Sequence, residues 1–226
     1  MIVCPGPDPA FPYLNENARI AFPPPQAWKD SVIAVGGNLS PGMLLSAYEQ
    51  GLFPWYNPET DPLLWQSPDP RMVIFPEDLH ISRSMRKILE QGAYTVTFNR
   101  DFSSVISGCA AVGRPGQGGT WINRDIIAAY TELHSLGWAH SAEAYLDGEL
   151  AGGCYGLVLG KVFCGESMFA RKPNASKAAF LTFAQNLFAN GAAFIDCQVP
   201  SNHLRSLGGR EISRKDFLCL LEKNLQ

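Results

Sequence analysis

Two spacings of apolar residues alternate along the second half of the chain. Residues 139–146 and the run from Gly148 to Ala170 are β-prone, and they are joined and divided by Asp147-Gly148 and Leu159-Gly160-Lys161, both turn-forming sequences. Three antiparallel strands are predicted. The spacing then lengthens, with Phe180, Phe183, Ala184, Leu187 and Phe188 recurring at helical intervals. Asn174 or Ser176 is placed to cap this helix and Gly191 to end it. The segment A-A-F-I-D-C-Q-V returns to strand spacing. Asp196 and Gln198 leave one of its faces, and Ile195, Cys197 and Val199 take the other. A carboxylate and an amide on an apolar strand are costly to bury without partners, so the pair marks a candidate site.

The earlier half reads less regularly. Ser40-Pro41 predicts a helix start, Leu44, Leu45, Ala47 and Tyr48 continue it, and Gly51 closes it. Around it, F-P-P-P-Q-A-W, F-P-W-Y-N-P and D-P-L-L-W-Q-S-P-D-P combine prolines with large rings. Those rings are too apolar for a solvated tether, so a small ordered module docked on the main domain is expected. In L-H-I-S-R-S-M-R-K-I-L-E, Ser82 is the expected cap. Met85, Ile88 and Leu89 face inward, leaving Arg83, Arg86 and Lys87 outward within one turn of each other. Y-T-V-T-F-N predicts a strand and F-S-S-V-I-S-G-C-A a helix. A further amphipathic helix follows Trp121 and ends at Gly137. Beyond the Asp196 strand, a short helix and a last one are expected, the latter entered through Ser213 and Asp216 and packed by Phe217, Leu218 and Leu221. The pattern is an α+β layer structure: residues 1–69 form a small N-terminal α/β module, and residues 70–226 a domain with a mostly antiparallel sheet flanked by helices.

Composition narrows the chemistry. With 226 residues, 46% hydrophobic and 17% charged, the chain has material for a substantial core. No apolar run approaches a membrane span, and the start of the chain lacks the basic flank and apolar segment of a secretory leader. The six cysteines are scattered without metal-ligand spacing, as expected of buried thiols in a reducing compartment. No metal site is expected, because histidines and carboxylates do not cluster. A formal charge of −3 gives no overall attraction to polyanions, so any nucleic-acid contact needs a local basic patch. The loop G-R-P-G-Q-G-G has neither the context nor the glycine spacing of a phosphate-binding loop. The four histidines lack a G-x-S-x-G partner. A Cys164 or Cys197 nucleophile with His203 is conceivable, although buried structural thiols are the commoner state. Glu166 stands alone in the apolar run V-F-C-G-E-S-M-F, where it needs a cation, a hydroxyl or another polar side chain beside it.

The strings G-L-F-P-W, L-W-Q-S-P-D-P-R, H-I-S-R-S-M, G-T-W-I, F-C-G-E-S-M-F, N-A-S-K and I-D-C-Q-V run in order between about Gly36 and Phe217. Together they resemble the leucyl/phenylalanyl-tRNA–protein transferase family. The resemblance implies a small N-terminal domain and a GNAT-like C-terminal domain; a cytoplasmic location and a monomer are expected, although the sequence itself leaves the oligomeric state open. It also implies an activity: transfer of Leu, and less well Phe or Met, from aminoacyl-tRNA to proteins with N-terminal Arg or Lys, marking them for degradation. No cofactor is implied, since the donor ester is already activated. Trp55 and Trp121 match the aromatics around the tRNA's terminal adenosine. Cys154, Met168, Phe180, Phe183, Leu187 and Ile195 fall where the family lines its aminoacyl pocket, with Cys154 replacing a methionine and Leu187 a phenylalanine. Glu166, Asp196 and Gln198 match its polar catalytic group, in which Asp196 would orient Gln198 and accept charge from the attacking amine. The Arg83/Arg86/Lys87 face becomes the candidate contact for the acceptor stem. An acyl-coenzyme A N-acetyltransferase on the same kind of fold is the alternative; it needs a backbone nest for pyrophosphate that the sequence does not reveal.

Overall fold

A computed structural model of the chain describes residues 8, 10–57, 60–112 and 121–225. Cys4 and the glycine-rich run at 113–119 lie outside the described residues. Helix α1 (Pro41–Glu49) starts where Ser40-Pro41 predicts, and Gly51 follows it at φ 79°. Ser40 does not cap it. Its hydroxyl instead accepts the Leu14 N–H and donates to Asn38, tying the preceding segment down. Eight consecutive residues of α1 are buried, so this helix is surrounded by protein on every side. Beside it is a three-stranded antiparallel sheet in the order β1 (Val32–Val35), β3 (Leu64–Gln66), β2 (Phe53–Pro54).

A seven-stranded sheet forms the body. In chain order its strands are β4 (Arg71–Ile74), β5 (Thr95–Phe98), β6 (Ala139–Leu146), β7 (Glu149–Leu159), β8 (Val162–Ala170), β9 (Phe194–Gln198) and β10 (Arg210–Ile212). Across the sheet they run β10-β4-β9-β8-β7-β6-β5. The predicted hairpins β6–β7 and β7–β8 are present, and every pairing is antiparallel except β8 with β9. β4 and β10 are additions to the predicted set. β4 is buried at all four positions and β10 is a three-residue edge, so neither shows the alternation that announces a strand.

Helices cover both faces. α2 (Arg83–Glu90) and α5 (Ala175–Ala189) pack on one, through Met85, Ala178, Ala179, Phe180 and Ala184. α1, α3 (Phe102–Ala110), α4 (Arg124–Ser135) and α7 (Arg214–Asn224) cover the other, and their core is continuous with that of the small sheet. The consecutive glycines of β7 let both layers approach. A Cβ at Gly152 would meet the Ala175 Cβ of α5 at 2.8 Å, and one at Gly153 the Val105 side chain of α3 at 3.1 Å. Asn123, Ser82 and Ser213 each cap their helix through the side chain. α5 differs from expectation. Neither Asn174 nor Ser176 caps it; Asn174 sits at φ 66° without a cap hydrogen bond.

Candidate active site

The parallel β8–β9 ladder ends at Cys164 opposite Asp196. Strand spacing puts the next pair of same-face residues at Glu166 and Gln198, and there a side-chain bond replaces the backbone ladder: Gln198 Nε2 donates to Glu166 Oε1 at 2.7 Å. Beyond that seam the strands part around a cavity of about 400 Å³. Cys154 on β7 and Met168 on β8, paired in register, face into it with Phe163, Phe180 of α5 and Ile195 of β9. Glu166 and Gln198 supply its polar wall, while Val199 to Ser201, His203 and Leu204 form another side. Trp55 and Trp121 line the same cavity from outside the main sheet. They are held together: the Asn123 side chain, at the start of α4, donates to the Tyr56 hydroxyl at 3.0 Å.

The predicted residues therefore divide. Cys154, Met168, Phe180, Ile195, Glu166, Gln198, Trp55 and Trp121 converge on one space. Phe183 does not reach it; its ring lies 5.1 Å from that of Phe163, edge to face, and so backs the wall from one layer behind. Leu187 is half-buried one turn further along α5 and also stands outside the wall. Asp196 is the larger departure. It is 0% exposed and does not line the cavity. Its two oxygens accept from Arg71 Nε at 2.8 Å and Nη2 at 2.7 Å, and Oδ1 also accepts the Gln198 N–H at 2.9 Å. Contact with an incoming amine is closed to it. Arg83, Arg86 and Lys87 are exposed on α2, with no salt bridge among the described residues.

Glu166 has the hydroxyl partners that its apolar surroundings require. The Tyr48 hydroxyl of α1 donates to Oε1 at 2.7 Å, and that of Tyr130 of α4 to Oε2 at 3.3 Å; the two hydroxyls also bond each other. Burial pushes the Glu166 carboxyl up to about 7, with the charge of Asp196 adding to it, against the opposing effect of the Tyr48, Gln198 and Tyr130 hydrogen bonds. Burial, and then the charge of Glu166, hold both tyrosines well above their ordinary range, so they act as neutral donors. Burial also raises the thiols of Cys154, Cys164 and Cys197, which removes the nucleophilic thiolate. His203 places Nε2 3.3 Å from the Met168 sulfur, and burial, then Lys177, lower its pKa. Tyr48, Tyr130 and Arg71 are site residues that sequence reasoning does not find, since all three partnerships are long-range. Among the described residues the cavity wall has no lysine or arginine.

A mixed sheet parted beside an apolar cavity, with a carboxylate and an amide at its edge, makes this an α+β protein with a pocket of small-ligand size. Comparison with known proteins narrows it. The family model described as "Leucyl/phenylalanyl-tRNA protein transferase" matches residues 73–222, and the one for that family's N-terminal domain matches residues 37–69. The chain belongs to the leucyl/phenylalanyl-tRNA–protein transferase family. A protein of that name from Hahella chejuensis is 52% identical over 217 residues, covering 95% of this chain and 91% of the relative. Others are those of Myxococcus xanthus, 47% identical with 96% and 93% covered, and Escherichia coli, 49% identical with 90% and 87% covered. Similar solved structures include a GCN5-related N-acetyltransferase from Kribbella flavida, with TM-score 0.41, 11% identity, and 77% and 62% of the two chains covered. Another is the L-PGS of Bacillus licheniformis, with TM-score 0.46, 12% identity, and 70% and 65% covered.

Proposed function

We propose that this chain transfers leucine, and with lower efficiency phenylalanine or methionine, from aminoacyl-tRNA to the α-amine of proteins that begin with Arg or Lys, marking them for degradation in the cytoplasm. The observation that carries the reading is the apolar cavity that ends on Glu166 and Gln198 between Trp55 and Trp121. In this reading the cavity between Cys154, Met168, Phe180 and Ile195 takes the aliphatic side chain, and the two tryptophans take the terminal adenosine. Glu166, ionised, accepts a proton from the acceptor's α-ammonium. The freed amine attacks the ester carbonyl carbon, and the second N–H of Gln198 Nε2 donates to the oxygen on which charge develops. Collapse breaks the bond to the ribose oxygen, and the Glu166 carboxyl returns its proton there. The attacking nitrogen, positively charged in the tetrahedral adduct, releases its second proton to solvent as the amide forms, so one ammonium and one ester give one amide, one free ribose hydroxyl and one proton. The basic α2 face is assigned to the acceptor stem.

The test uses tRNA charged with radiolabelled leucine and peptides beginning with Arg, Lys or Ala. Label should pass to the first two, and ribonuclease should abolish the transfer. Equal labelling of all three peptides, or transfer that survives ribonuclease, overturns the reading.

A further inference from the structure

Arg71 is 1% exposed and has no part in the steps above, yet the site is arranged around it. Its guanidinium lies between two rings, 4.8 Å from the centroid of Phe53 and 4.3 Å from that of Phe217. Nη1 donates to the Gly51 carbonyl at 3.3 Å, and Nε and Nη2 make the fork to Asp196. Four separate pieces of chain, β2, β4, β9 and α7, therefore meet on one cation. Asp196, so fixed, accepts the backbone N–H of Gln198, which is held at φ 63°, a left-handed conformation that residues other than glycine rarely adopt. That turn of the backbone sends the Gln198 amide to Glu166.

A buried ion pair is a weak source of stability, because desolvation offsets most of the attraction and a well-packed apolar pair does as well. A strained backbone position persists only where surrounding contacts over-determine it, and such positions concentrate at working sites. We propose that Arg71 is a positioning residue of the transfer reaction: acting through Asp196, it holds Gln198 in its left-handed turn and so aims the amide at Glu166 and the cavity. The proposal rests on the transfer reaction proposed above. It converts Asp196 from a group that meets the amine into the middle member of a relay of positions.

Arg71→Lys keeps the charge but not the fork, and Arg71→Met removes both. Displacement of the amide by about 1 Å is worth about 100-fold in rate, so Arg71→Met should lose about 100-fold in kcat. Its KM for leucyl-tRNA should stay within about two-fold, because the apolar wall and tryptophans are untouched. Arg71→Lys should recover part of the loss. Adding Asp196→Asn to Arg71→Met should cost little more than the worse single change, since the two act as one unit. Losses that multiply, or a rise in KM with kcat unchanged, overturn the proposal. Far-ultraviolet circular dichroism and melting curves on each variant check folding, and Arg71→Lys serves if Arg71→Met does not fold. The side-chain amide resonance of Gln198, assigned with Gln198→Asn, supplies a readout independent of turnover. It should move in the Arg71→Lys variant; an unmoved resonance overturns the proposal even if no leucine is transferred, whereas absent transfer by the unaltered chain refutes only the assigned activity.

Discussion

Glu166 is gripped by three hydrogen-bond donors and, among the described residues, by no cation. Lifted to about 7 from an ordinary 4.5, it must lose its proton before it can take one from an amine, so kcat should rise with pH through about 7. Glu166→Gln should lower kcat and erase that limb in single-turnover rates. The same displacement bears on stability. The folded state holds the proton more tightly than the unfolded chain, so the cost of burying the charge is absent below pH 4.5 and complete above about 7. It amounts to no more than about 3 kcal/mol, and to less because Glu166 keeps a partly accessible edge. The melting temperature of Glu166→Gln relative to the unaltered chain should therefore climb between those pH values; a constant difference contradicts the lifted carboxyl. The sequence shows that this carboxylate is out of place among apolar neighbours, but not who answers it. Tyr48 is 118 residues away, and Arg71 is 125 from Asp196. Spacing rules describe neighbours on one element and carry no information about such distant meetings.

At the level of elements, legibility follows the strength of local signals. The two hairpins were readable from Asp147-Gly148 and Gly160, which adopt φ above zero, α2 and α7 from their caps, and α4 from its amphipathic spacing and the closing Gly137. α5 was readable from its apolar spacing and from Gly191, which follows its end at φ 89°, while its expected N-terminal caps are absent. β4 and β10 were not readable, because R-M-V-I is buried throughout and R-E-I is too short to alternate. Of the α5 residues expected at the pocket, Phe180 lines the cavity, and Phe183 and Leu187 stand behind its wall. Helical spacing gives the apolar stripe but not the depth at which a neighbouring ring, here Phe163, cuts it off from the cavity. The glycine pair of β7 gives a prediction at this scale. In Gly152→Ala the new methyl would meet the Ala175 Cβ and the Phe169 carbonyl, both at 2.8 Å. Forcing α5 outward should cost about 1–3 kcal/mol, read as a lower urea midpoint with an unchanged slope.

Across the whole molecule, charge is distributed so that attraction is local. The net charge is −3, yet Arg83, Arg86 and Lys87 share one exposed surface of α2. Each phosphate contact contributes about 0.9 to the slope of log affinity against log salt, so replacing all three with glutamine should flatten the slope for aminoacyl-tRNA by about 2 to 3. An unaltered slope in filter binding returns this face to ordinary solvated surface. A different consequence lies in the stack of Phe53, Arg71 and Phe217. Its three layers are drawn from far-separated stretches, and the last lies on α7. A nascent chain leaving the ribosome carries Phe53 and the cation first, and both wait with nothing above them until α7 has been synthesised. Enclosure of the cation thus waits on contacts between residues from both halves of the chain, with Phe217 the last of them to be made.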